Sequence, residues 1–268
     1  MKKNFNLIFG LSVIIFLFVF MFISLFHTPY SPTEMNIRER MQPPSAEHIF
    51  GTDQFGRDIL SRVMEGSQTA FFVGFVAVSI GLIFGTFLGA VSGYFGGITD
   101  EIIMRIMDAM LAFPVILFAL MFVSVFGVGI KNTIIAIGIM SVPSFARITR
   151  SGYIQHKQFD YVKSAKAMGA GPLRIMFLHI LPNVISPIIV AASMGFSTAV
   201  LSEAGLSYLG LGVLPPSPSW GRMLNESQIY ISKAPWFAII PGIFITLTVL
   251  GFNFFGDGLR EYADNTEK

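Results

Sequence analysis

Long apolar stretches without a single charged residue recur six times along this chain. They cover Asn6–Phe26, Gly66–Thr99, Ala109–Ile130, Asn132–Ala146, Ile175–Ser202 and Ala234–Gly256. A helix that crosses a bilayer needs about 20 mostly apolar residues, and a charge at its centre costs about 2.5–3.5 kcal/mol. The pattern therefore predicts an all-α membrane protein with six transmembrane helices. The fourth run is short and is expected to continue past Arg147 into water. The first run follows Met1-Lys-Lys-Asn4, which fits the start of a signal peptide. Its apolar stretch is longer than a signal needs, and Ser24-Leu-Phe-His27 offers no small-x-small cleavage site, so it reads as a retained anchor. Two units follow: residues 1–65, an anchor and extracytoplasmic segment, and residues 66–268, a five-helix domain.

Composition agrees with the pattern. Of 268 residues, 53% are hydrophobic and only 13% are charged, where a soluble domain averages about 25% charged. There is no cysteine, hence no disulfide framework, thiolate metal site or catalytic thiol. A net charge of +2 is too small to imply nucleic acid. His27, His48, His156 and His179 lie in different regions and show no metal-ligand spacing. No metal site is expected.

Charge distribution sets the orientation. Arg147, Arg150, Lys157, Lys163, Lys166 and Arg174 face one acid, Asp160, in a single loop, which the positive-inside rule places in the cytoplasm. Lys2 and Lys3 then lie inside, and six spans put both termini there. The segment Thr28–Glu65 falls outside despite four arginines, against the rule. It is rich in proline and ends in the string Gly51-Thr-Asp-Gln-Phe-Gly-Arg-Asp58. Asp53, Arg57 and Asp58 are expected to form local surface pairs or to contact a partner, and surface pairs contribute about 0–1 kcal/mol. A second outer segment, from about Ser207 to Lys233, holds Pro215-Pro-Ser-Pro218 and Trp220, which no continuous helix would accommodate. Trp220 is expected in the aromatic belt at the membrane surface. Turn residues Gly93-Tyr-Phe-Gly-Gly97 join spans two and three. Gly81, Gly85 and Gly89 repeat every four residues, a surface for close helix packing. Arg105 and Asp108 are spaced to pair on one helix, and Glu203 closes span five.

The basic loop is the most informative region. Phe159-Asp-Tyr-Val-Lys-Ser-Ala-Lys-Ala-Met-Gly169 predicts a short helix, with Asp160 favouring its start and Tyr161, Ser164, Ala165 and Met168 on one face. Gly169-Ala-Gly171-Pro172 breaks it and starts a second helix that runs into span five at Leu181-Pro182. The result is a projecting knob with small and basic residues, suited to a cleft on another protein.

This spacing resembles the EAA loop of ABC-importer permeases: Glu-Ala-Ala, three residues, Gly, nine residues, Ile, one residue, Leu-Pro. Lys163-Ser164-Ala165 stands in the first triplet, Gly169 is the glycine, His179 replaces Ile, and Leu181-Pro182 is the ending. Gly51–Asp58, Leu206-Ser-Tyr-Leu-Gly-Leu-Gly212, Pro215-Pro-Ser-Pro-Ser-Trp-Gly221 and Phe252-Asn-Phe-Phe-Gly-Asp-Gly-Leu-Arg260 resemble signatures of the dipeptide, oligopeptide and nickel subfamily, and within it the "C" type permease. The likeness covers about Ile49 to Asp264.

The resemblance implies a permease core in spans two to six with an extra N-terminal span, in a bacterial or archaeal cell (inner) membrane. It implies half of a heterodimeric channel, paired with a second, homologous permease. Two cytoplasmic ATPases would bind ATP and Mg, and an extracytoplasmic solute-binding protein would deliver di- or oligopeptides, or nickel or a metal chelate. The chain itself would be no enzyme and carry no cofactor; it lacks the phosphate loop G-x-x-x-x-G-K-[ST]. Tyr161, Lys163, Ser164, Ala165, Met168, Gly169, Gly171 and Pro172 would take up the ATPase's motion. Gly51, Thr52, Asp53, Gly56, Arg57, Asp58, Trp220 and Gly221 would form an outer signature, open to the binding protein. An ion-coupled transporter or channel is the reading of another class, and the absence of acids deep in the runs speaks against it.

Overall fold

The computed structural model describes residues 5–266; Lys2 and Lys3 lie outside them. The helices are α1 (Phe5–Ser24), α2 (Ile59–Phe95), α3 (Gly97–Leu111), α4 (Val115–Phe126), α5 (Ile130–His156), α6 (Asp160–Ala167), α7 (Pro172–Arg174), α8 (Leu181–Tyr208), α9 (Trp220–Ser227) and α10 (Pro235–Thr266). A π-helical stretch, Ile175–Ile180, joins α7 to α8, so helix runs unbroken from Pro172 to Tyr208. Five of these helical segments are long and apolar enough to cross a membrane, and the bent pair α3–α4 makes a sixth when taken as one span.

That pair departs from the sequence reading. Ala109–Ile130 reads from the sequence as one span. Instead the chain turns by 88° between α3 and α4. Pro114 disfavours helix at the residue before it and cannot donate to the ladder. The 12 residues of α4 reach only about 18 Å, short of the ~30 Å hydrocarbon core. The preceding break comes at Gly96 and Gly97, whose φ values of 70° and 56° suit glycine. Helix α2 starts at Ile59, with Asp58 as its cap, and so runs through the boundary drawn at residue 65. The Asp58 carboxylate accepts from the Ser61 amide at 2.7 Å.

The glycine repeat does what its spacing predicts. It sits where α2 crosses α5. A Cβ on Gly85 would lie 2.6 Å from the Val142 carbonyl oxygen, and one on Gly89 would lie 2.3 Å from that of Ala146. Neither backbone can yield to such overlap. Gly89→Val should therefore destabilise the protein by about 1–3 kcal/mol, read as a lower unfolding temperature in detergent. Gly242→Ala, in α10 with open space around the new methyl, should leave that temperature unchanged or raise it.

Two charge assignments also change. Arg105 pairs with Glu101 at 3.7 Å, not with Asp108; Asp108 instead reaches Arg147 on α5 at 2.6 Å. Both links are exposed.

Candidate functional site

The knob is built by local chain chemistry. Phe159 is extended, and Asp160 opens α6, held by Lys163 at 2.9 Å. At the other end Gly169 (φ 84°) takes the left-handed position. Its amide donates to the Lys166 carbonyl, and the Ala170 amide to that of Ala165, both at 3.0 Å. These two bonds are the Schellman closure, in which glycine at that place relieves the Cβ clash. Gly171 is extended and Pro172 begins α7. The inward face differs from expectation: Val162 and Ala165 are buried, and both belong to α6, which rests on the π-helical stretch. The hydroxyl of Tyr153 donates to the Met176 carbonyl at 2.8 Å and fastens that stretch to α5.

Of the eight residues assigned to coupling, only Ala165 is buried. Tyr161, Lys163, Ser164, Met168, Gly169, Gly171 and Pro172 are exposed together. Met168 is 82% exposed, and beside it Leu173 is 70% exposed. Sequence reasoning missed Leu173 and the exposed Leu178. For Leu173 the available signal was an apolar residue directly after Pro172 in a basic loop.

At the opposite end lies a cap formed by the segment before α2, by α9 and by the last turn of α8. The eight signature residues Gly51, Thr52, Asp53, Gly56, Arg57, Asp58, Trp220 and Gly221 are all buried in it. Their side chains are spent inside the chain, and the exposed member of the first string is Phe55. The expected surface pairs are a buried network. Asp53 Oδ2 accepts a hydrogen bond from Arg57 Nε at 2.6 Å and forms an ion pair, without a hydrogen bond, with Arg62 Nη1 at 3.0 Å. Glu226 Oε2 takes Arg57 Nη2 at 3.0 Å and Arg62 Nη2 at 2.9 Å, and its other oxygen takes Arg222 Nε at 2.9 Å. Burial pushes the Asp53 carboxyl above its ordinary value, against the pull of Arg57 and two backbone amides. Two of the four arginines that ran against the positive-inside rule are thus neutralised within the fold.

Trp220 is likewise no belt residue. It is 1% exposed, and its Nε1 donates to the Val63 carbonyl at 3.0 Å. Gly221 lets α9 approach α8: a Cβ there would stand 2.1 Å from the Ala204 carbonyl oxygen.

Between knob and cap runs a cavity of about 720 Å³, bounded by α5, α8 and the ends of α3 and α10. Asn183, Ser186, Val190, Met194, Thr198 and Ser202 contribute one face of α8 to it, and Ser141 and Ser144 contribute from α5. These polar groups are neutral. The charged lining residue is Arg260, near the knob end.

An exposed knob, a groove along the bundle and a tied cap describe a transport subunit. Residues 81–266 match the family of binding-protein-dependent transport system inner membrane components. The chain belongs to that family. It is an ABC-importer permease, a multi-pass membrane protein. It is 48% identical to the dipeptide transport system permease protein DppC of Alkalihalophilus pseudofirmus over 265 residues, 98% of this chain and 87% of that one. It is 41% identical to DppC of Haemophilus influenzae, covering 98% and 91% of the two chains. The glutathione transport system permease protein GsiD of Pectobacterium atrosepticum is 45% identical over 82% of this chain and 73% of its own. Among solved structures, an inward-facing MetNI methionine ABC transporter matches with a TM-score of 0.58 and 21% identity, over 74% of this chain and 93% of that one. That likeness bears on the fold.

Proposed function

We propose that this permease forms half of a heterodimeric channel that imports di- and oligopeptides delivered by an extracytoplasmic binding protein. Its partners are a second, homologous permease and two cytoplasmic ATPases, which hold ATP and Mg; this chain carries no cofactor. Knob and both termini face the cytoplasm, and the cap faces outward. The knob docks on an ATPase through Met168, Leu173 and the exposed surface around Gly169.

The groove carries the cargo assignment. Peptides share a backbone of neutral donors and acceptors and differ in side-chain charge. Along an otherwise apolar lining, serine and threonine hydroxyls and one asparagine amide offer hydrogen bonds to that backbone, and the one charged lining residue, Arg260, stands at the knob end. Relatives named for dipeptide and glutathione transport support the same class. The test is uptake in a strain lacking this gene. Loss of labelled dipeptide uptake with normal nickel uptake is expected. The reverse pattern would assign a metal cargo.

A further inference from the structure

A single charged side chain enters the groove. Arg260, on α10, lines it together with apolar side chains and the neutral groups of Ser141, Ser144, Asn183 and Ser186. Its level along the groove follows from the packing of α10 on α8. The Ser197 hydroxyl of α8 donates to the Val249 carbonyl of α10 at 3.3 Å. Further along α10, a Cβ on Gly256 would stand 2.4 Å from Ser193 Oγ, which lies earlier on α8. The two helices thus run in opposite senses. Arg260, one turn beyond Gly256, falls toward the start of α8 and the knob.

Its charge is free. Arg147 and Arg150 of α5 stand near the same end, and each is held by an acid, Asp108 at 2.6 Å and Asp100 at 2.5 Å. Among the described residues no ion pair includes Arg260, and its side chain is exposed. The acids beside it on α10, Asp257 and Glu261, do not line the groove. Glu261 accepts from the Asn6 amide of α1 at 3.2 Å. The positive-inside rule asks for cations at this end of the bundle, but not for one turned into a cavity.

A lone cation in a groove without acids distinguishes the two ends of a peptide. Whatever its side chains, a peptide carries a C-terminal carboxylate and an N-terminal ammonium. A guanidinium meets a carboxylate through two parallel N–H···O bonds, and low-dielectric walls focus its field along the groove. The ammonium finds no counter-charge there. We propose that Arg260 is a specificity-determining residue that receives the C-terminal carboxylate of the peptide, so that cargo leaves the groove carboxylate first. Exposure keeps the pair weak enough to part on the cytoplasmic side. The inference rests on the groove being the path of a peptide.

The experiment uses the complete transporter in proteoliposomes. Labelled alanylalanine and its C-terminal amide are each supplied at a concentration shown to load the binding protein. Absence of alanylalanine uptake by the wild-type transporter would refute the cargo reading itself, before any variant is compared. Given that uptake, Arg260→Gln should lower the maximal rate for the free acid at least fivefold and for the amide less than twofold. Arg260→Lys should keep at least half of the free-acid rate. The chain has no cysteine, so Arg260→Cys places a single thiol in this permease. Aminoethyl methanethiosulfonate, applied before reconstitution, returns a positive charge and should raise free-acid uptake at least threefold; neutral methyl methanethiosulfonate should not, with the wild-type complex treated alike as reference. This arm decides if the binding protein refuses the amide or Arg260→Gln does not assemble. Wild-type uptake of the free acid by Arg260→Gln overturns the proposal. So does equal loss for acid and amide, the result of a lipid or ATPase contact, and so does equal rescue by the two reagents.

Discussion

Replacing Gly169 by Trp is expected to reduce uptake at least a hundredfold while the permease still accumulates in the membrane at wild-type level. The two halves of that outcome have separate causes. A side chain at Gly169 would meet nothing within 4 Å inside the chain, so no core contact is lost. The φ of 84° costs a residue with a Cβ about 1–2 kcal/mol, which falls on the end of α6 alone. The indole itself would project from the exposed surface between Met168 and Leu173 and hold an ATPase away from it. Asn tolerates the left-handed conformation and is short, so Gly169→Asn should keep at least a third of wild-type uptake. Quantifying membrane level, ATPase co-purification and labelled-dipeptide uptake for both variants checks this. Normal uptake by the Trp variant would remove the knob from the coupling path.

Glu226→Leu should have the opposite signature: loss of the protein itself. Glu226 serves three arginines, and two of them, Arg57 and Arg62, are 5% and 0% exposed. Removing the shared carboxylate leaves Asp53 alone to answer both buried guanidinium groups. Breaking a buried pair in this way costs about 3–5 kcal/mol, a large part of the 5–15 kcal/mol that holds a typical domain folded. Membrane level should fall more than tenfold, and the residual protein should unfold at a lower temperature in detergent. Glu101→Ala, which breaks the exposed pair with Arg105, should change neither, because surface pairs contribute about 0–1 kcal/mol. Equal behaviour of the two variants would contradict the buried network.

The contrast between these sites marks what could be read along the chain. Spans were legible because a bilayer excludes charge, so a gap between charged residues carries the signal. The knob was legible because Gly169, Gly171 and Pro172 act on their own backbone and need no distant partner. The bend before α4 was half visible: Pro114 stood in the sequence, but the apolar run around it concealed how short the following helix is. The cap was not legible. Arg57 and Glu226 are 169 residues apart, and spacing along the chain says nothing about such a pair. Trp220 failed for the same reason, since its partner, the Val63 carbonyl, is 157 residues away. Glu203 was seen as a residue at the edge of a span; only the packing of α9 on Ala204 makes that edge an interior. The groove needed α5 and α8 side by side before its hydroxyls formed a wall.

We propose that this chain moves cargo only as its knob is moved by ATP hydrolysis on partner subunits. Uptake into proteoliposomes tests it most directly. They would contain both permeases and both ATPases, with the binding protein and labelled dipeptide outside. Accumulation is expected when ATP and Mg are enclosed, and none with an imposed proton or sodium gradient alone. Uptake driven by the gradient in the absence of ATP would contradict it.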